Sequence, residues 1–125
     1  MIKGTGIDLI DVERVAQRVG GTEGFREMVF SAAEIGYCEA KGNKYEHYAA
    51  RYAAKEAFFK ALGTGWVNDT AYHEVEVFND EAGKPGIKLL GKTAKTLSSL
   101  GALNISVSLT HLKTMAAAVV IIESV

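Results

Sequence analysis

One stretch restricts the fold more than any other. From Lys44 to Leu62 the chain carries neither Gly nor Pro, and Ala recurs at 49, 50, 53, 54, 57 and 61. Ala is the strongest helix former. Asn43 stands where a cap belongs, and Gly63 where a helix stops. The spacing therefore predicts one long helix, Lys44 to Leu62, as the spine of the molecule. Glu56 and Lys60 sit one turn apart on it, ~40° around the axis, and leave the same face. Ala49 and Ala53 flank that face, small enough to admit a ligand or another chain. Gly63-Thr64-Gly65 follows as a loop suited to close backbone approach. A carboxylate for a metal, an ammonium for phosphate and a loop of free N–H groups suggest phosphoryl chemistry. Alone, the Glu56–Lys60 pair is also an ordinary solvated pair worth ~0.2–0.5 kcal/mol, so the rest of the chain has to decide.

The flanking segments read as an α+β domain. Ile2 to Ile10 is a strand with Ile2, Gly4, Gly6, Asp8 and Ile10 on one face. Asp is disfavoured in strands, and the two glycines leave room beside Asp8. Asp11 caps a helix, Val12 to Val19, that Gly20-Gly21 ends. Ser31-Ala32-Ala33-Glu34 is a capping box, so a second helix starts at Ala32 and ends near Gly42. It buries Ile35 and leaves Cys38 half-buried. Val75 and Val77 alternate with Glu74 and Glu76. Asn79 to Gly83 turns the chain into a hairpin partner, Gly86 to Leu90. Thr93 to Leu100 is a short helix, Ile105 to Thr110 an alternating strand and Thr114 to Glu123 a last strand. The expectation is an antiparallel sheet packed against one long helix.

Composition excludes several classes. The 125 residues suit one domain, 1–125, and 48% hydrophobic residues suffice for one core. No apolar run approaches the ~18 residues of a membrane span. Nor does a signal-like segment open the chain, so a cytoplasmic protein without a membrane partner is expected. With 14 basic and 15 acidic side chains there is no basic surplus of the kind nucleic acid requires. Cys38 is the sole cysteine, which excludes an internal disulfide and a Cys/His zinc cluster.

Asp8 on a glycine-lined strand, Glu56 and Lys60 on one helix face, and Ser108-Leu109-Thr110-His111 ending a strand call for a joint explanation. Mg²⁺ takes one or two carboxylates and completes its shell with water and substrate phosphate. Asp8 and Glu56 are candidates for those carboxylates, with Lys60 neutralising charge on a phosphoryl group. The same segments resemble the 4′-phosphopantetheinyl transferases of the small holo-acyl-carrier-protein synthase type. The resemblance rests on Gly6-Ile7-Asp8, the run Arg51 to Gly65 with Lys55-Glu56 and Lys60, Gly83-Lys84-Pro85, Ser108 to His111, and Ala116-Ala117-Ala118. It covers essentially the whole chain.

The resemblance implies that coenzyme A donates its 4′-phosphopantetheine arm to a serine of apo-acyl carrier protein. Adenosine 3′,5′-bisphosphate is the other product, Mg²⁺ is required, and fatty-acid biosynthesis is the implied setting. Asp8 and Glu56 become metal ligands, and Lys60 contacts the pyrophosphate. Glu56 or a water near the ion takes the serine proton; the sequence leaves both open. Arg51, Thr110 and His111 match positions at the nucleotide end, with Gly63, Thr64, Gly65, Lys84 and Pro85 near phosphate. His47 and His73 match no motif and read as structural. Arg14, Arg18, Phe25 and Arg26 fall where similar enzymes touch the carrier. Arg51 and Lys55 project roughly opposite to Glu56 and Lys60, and similar enzymes are homotrimers with interfacial sites. Arg51 is therefore expected to serve a neighbouring subunit's site, a bound anion relieving its repulsion with Lys55.

Rival readings explain less. A coenzyme-A-binding module without transfer has no need of both carboxylates. A purely structural trimer gives no reason for Asp8 inside a strand. A Mg²⁺-dependent phosphohydrolase fits the chemistry but not the motifs.

Overall fold

The structure is a computed structural model that describes residues 1–63, 68–101 and 103–125. Strand β1 (Ile2–Asp11) leads into α1 (Val12–Val19), the short α2 (Phe25–Val29), α3 (Ala32–Glu39) and the spine α4 (Lys44–Leu62). A 3₁₀ turn at Tyr72–Glu74 precedes the hairpin β2 (Val75–Asn79) and β3 (Pro85–Leu89). Helix α5 (Gly91–Leu97), β4 (Leu103–His111) and β5 (Met115–Ser124) complete the chain. The three-stranded sheet has the order β1-β5-β4, all antiparallel, and β2-β3 form a separate two-stranded sheet. The architecture is the expected α+β.

Local chemistry sets the boundaries. The Asp11 carboxylate accepts the Glu13 backbone N–H at 2.9 Å and starts α1. Ser31 and Glu34 form the expected reciprocal box at the start of α3. Helix α3 stops at Glu39, short of Gly42, and Cys38 is fully buried rather than half-buried. Burial pushes its thiol up to about 12, far from a nucleophile. Asn43 stands at the N-cap of α4, but its side chain makes no capping bond. The sequence pattern omits α2, which is only five residues long. Gly24, at φ 79°, launches it, and Phe25 and Val29 lie one turn apart in the core.

Helix α4 lies across β1 and β5 on one side and meets α1 and α3 on the other. Its alanines therefore serve two cores at once. Ala49 and Ala53 are fully buried, so their face is closed by the chain itself rather than left open for a ligand. Gly4 and Gly6 carry the same lesson. A Cβ on Gly4 would come within 1.9 Å of the Ala61 carbonyl oxygen, and one on Gly6 equally close to that of Ala57. The glycines do not clear a space beside Asp8. They let the helix backbone rest directly on the strand, which brings Lys60 to Asp8.

A buried ion pair fixes the other side of α4. Lys55 Nζ donates to Glu34 Oε1 at 2.7 Å and to the carbonyls of Tyr72 and Val75 at 2.8 and 2.6 Å. Glu34 also accepts the backbone N–H groups of Ser31 and Val77, each at 2.9 Å. Both side chains are inaccessible to solvent, yet every ammonium proton has an acceptor. The knot joins α3, α4 and β2. It also corrects the expectation for Lys55, whose charge is spent on Glu34 inside the protein and awaits no bound anion.

Candidate active site

Asp8 lies on the inner face of β1 and Glu56 on α4, 48 residues further on. Both line one cleft of about 290 Å³, together with Leu9, Ile10, Asp11, Arg14, Val15, Arg18 and Tyr52. Lys60 Nζ donates to Asp8 Oδ1 at 2.9 Å and to the Ile7 carbonyl at 3.0 Å. Its side chain is 54% exposed and that of Asp8 15%. The two carboxylates act on one common neighbour, Tyr72, and Glu56 also on Tyr52. Burial, then hydrogen bonding and charge from Glu56, pushes the Tyr52 hydroxyl up to about 12. The Tyr72 hydroxyl is raised by burial, by Glu56 and by Asp8. Asp8 and Glu56 thus converge on one polar corner lined by phenols.

That donor set fits a hard divalent ion. Two carboxylates meet at the cleft, and among the described residues no third His, Cys, Asp or Glu joins them into a closed cage. An ion such as Mg²⁺, which takes one or two carboxylates and otherwise water and substrate oxygens, would suit such a pair.

Arg51 leaves α4 about 140° around the axis from Glu56. It is no surface cation. Only 3% exposed, it donates from an NH₂ group to Asn79 Oδ1 at 2.7 Å and stacks on Tyr37 at 4.0 Å. Its buried Nε has no acceptor among the described residues. Asn79 pairs with Pro85 in the hairpin register and donates to the Gly83 carbonyl, which sets Gly83-Lys84-Pro85 beside Arg51. His111 ends β4 with Nδ1 2.8 Å from Glu46 Oε1. Thr110 precedes it and is exposed on the outer sheet face. Gly63 closes α4 at φ 80°. Thr64 and Gly65 lie outside the described residues.

The expected carrier-facing residues divide. Arg14 and Arg18 are exposed on α1 and form one wall of the Asp8–Glu56 cleft. Phe25 does not face out. It is 6% exposed, packed edge-on to Phe30 and Tyr52 and covered by the Arg18 guanidinium at 4.2 Å. Arg26 is tied to Glu27 at 2.7 Å and to Glu39 at 3.4 Å, so its charge is already engaged.

Sequence reasoning missed Asn79, Tyr37 and Glu46, which hold Arg51 and His111, and Tyr72 beside the carboxylates. It also set His47 aside, although His47 precedes Arg51 by one turn, a spacing visible on a helical wheel.

Known proteins share the family and the fold of this chain. The model of the 4′-phosphopantetheinyl transferase superfamily matches residues 4–120. The chain belongs to that superfamily. It is 43% identical to the holo-[acyl-carrier-protein] synthase of Solibacter usitatus, over 99% of this chain and 100% of that one. The crystal structure of holo-[acyl-carrier-protein] synthase from Neisseria meningitidis superposes with a TM-score of 0.89 at 27% identity, covering 99% of this chain and 100% of that chain. The Bacillus anthracis enzyme, solved in complex with CoA (3′,5′-ADP), gives 0.82 at 32% identity over 100% of this chain and 99% of that one. No helix among the described residues is long and apolar enough to cross a membrane.

Proposed function

We propose that this chain is a holo-acyl-carrier-protein synthase, transferring the 4′-phosphopantetheine arm of coenzyme A to a serine hydroxyl of an apo-acyl carrier protein. One observation carries the reading. In a member of this superfamily, Asp8 from β1 and Glu56 from α4 line a single cleft, and the Lys60 ammonium pairs with Asp8. The serine oxygen bonds to the phosphorus on the pantetheine side. The bond from that phosphorus to the bridging oxygen breaks, and adenosine 3′,5′-bisphosphate leaves.

Phosphoryl transfer demands positioning and charge stabilisation more than a covalent nucleophile. Asp8 and Glu56 are the residues that would hold Mg²⁺, and the ion would supply positive charge to the diphosphate. Lys60, half exposed and within reach of the cleft, stabilises charge on the departing oxygen. Glu56 in the cleft, or a water beside it, takes the serine proton. Arg14 and Arg18 on the cleft wall meet the acidic carrier and bring its serine to the carboxylates.

The nucleotide end lies on the opposite side of α4. Arg51, with its unpaired Nε, and His111 receive phosphate there, beside Thr110, Lys84 and Pro85. The phosphate-binding role extends to Gly63, Thr64 and Gly65. One ligand cannot easily span both sides of α4 in a single subunit, so the complete site forms between subunits of a homotrimer. The outer face of the large sheet supports such packing, with Ile7 69% and Leu9 63% exposed beside Val119 and Met115. Work in the cytoplasm on the carrier of fatty-acid synthesis is the fitting setting.

Incubation with coenzyme A, Mg²⁺ and apo-carrier, read by intact mass, tests the reaction. The carrier gains the mass of one phosphopantetheine arm on its serine. A carrier of unchanged mass under saturating coenzyme A rejects the reading.

A further inference from the structure

We propose that His47 is a further binding residue for phosphate at the nucleotide end, and that it makes the hold on that phosphate proton-linked. This rests on the reading that Arg51 and His111 receive the nucleotide.

Three elements converge on the His47 ring. It leaves α4 one turn before Arg51 and therefore on nearly the same face. Its centroid is 5.3 Å from His111 at the end of β4 and 5.7 Å from Tyr37 of α3. The same Tyr37 ring carries the Arg51 guanidinium at 4.0 Å and the Lys41 ammonium at 4.8 Å. The charged and titratable groups facing His47 are thus Arg51 and Glu46 on its own helix, Lys41 after α3, Tyr37 on α3 and His111 on β4. Glu46, the one carboxylate, is already engaged by His111 Nδ1 at 2.8 Å. Arg51 has only the neutral Asn79 as side-chain hydrogen-bond acceptor among the described residues. The patch is short of negative charge, the condition that favours a phosphate dianion.

A packing histidine keeps one protonation state whatever binds. His47 is set up differently. Burial, His111, Arg51 and Lys41 hold its imidazole below the usual value, so it is neutral in the free protein near pH 7. A dianion seated among these groups reverses the field and favours the imidazolium. Binding then takes up a proton, and affinity is greatest at low pH and declines as pH rises through the raised value of the complex.

The probe is adenosine 3′,5′-bisphosphate, titrated calorimetrically into the wild-type protein, His47→Gln, His47→Phe and His111→Gln from about pH 6 to about pH 8. Buffers of different ionisation enthalpy report the proton uptake. Wild-type protein is expected to bind at least about 5-fold more tightly at the low end than His47→Gln or His47→Phe, the difference vanishing at the high end. Both variants also take up fewer protons. His47→Phe retains the ring packing, so a loss there is not a folding effect. A pH slope and proton uptake equal to wild type in both His47 variants, with His111→Gln weakened, overturns the assignment of His47 alone. Wild-type binding in His111→Gln as well puts the nucleotide end elsewhere and overturns both readings.

Discussion

Lys60 is the residue whose replacement separates chemistry from folding. It is half exposed, and its ammonium bonds Asp8 and the Ile7 carbonyl. Lys60→Ala should lower kcat by about 10²–10³-fold, the usual loss of one transition-state charge donor, with an unchanged denaturation midpoint. A stopped assay and urea unfolding of the same preparation check both halves. Gly6→Ala should do the reverse. Its methyl group meets the Ala57 carbonyl, and the backbone must part by about 1 Å or more, costing at least about 1–3 kcal/mol. Asp8 was legible in the sequence because a carboxylate is disfavoured inside a strand, whereas Glu56 and Lys60, an ordinary helix pair alone, stood out only together with Asp8 and the family motif. The burial of Arg51 and Lys55 was not legible. Charged side chains default to the surface, and only a helix packed on opposite sides buries them. Phe25 failed for the complementary reason, since no helical pattern announces the five-residue α2 that turns it inward.

At the level of elements, the Glu34–Lys55 pair decides whether α3, α4 and β2 stay in register. Lys55→Met strands a buried carboxylate and should cost about 3–5 kcal/mol in urea unfolding. The double variant Glu34→Leu with Lys55→Met should cost clearly less than the sum of the singles. Helix α5 offers a pH-dependent test. Its N-cap, Leu90, supplies no side-chain bond, and Glu74 does the work from the 3₁₀ turn. Glu74 accepts the Thr93 N–H and hydroxyl and the Lys92 N–H. The hydrogen bond from Thr93 holds its carboxyl below the ordinary 4.5. A depressed carboxyl stabilises the fold above that ordinary value, and the contribution disappears as pH falls through the lowered one. Glu74→Gln should therefore lower stability by up to about 1 kcal/mol near pH 7, the difference from wild type shrinking as pH falls below the ordinary carboxyl value. The large strands were readable from alternation, as in Ile105, Val107 and Leu109. The cap on α5 was not, because it comes from a residue 17 positions before its start.

The molecule as a whole sets the Asp8–Glu56 cleft and the Arg51–His111 cluster on different sides of one helix and exposes apolar side chains on the outer sheet face. If the complete site forms between subunits, Arg51→Ala and Glu56→Ala chains should complement each other. Random mixing makes three of four trimers mixed, and each mixed ring holds one intact Arg51–Glu56 site in three. About a quarter of the wild-type rate should return. No recovery, with subunit exchange verified, rejects shared sites. The most direct measurement concerns the ion that Asp8 and Glu56 are proposed to hold together. Mn²⁺, standing in for Mg²⁺, can be titrated by electron paramagnetic resonance in the presence of coenzyme A into wild-type protein, Asp8→Asn and Glu56→Gln. One site per active centre is expected in the wild type, weakened at least about tenfold by either substitution. Wild-type binding in both variants would mean that the two carboxylates share no ion.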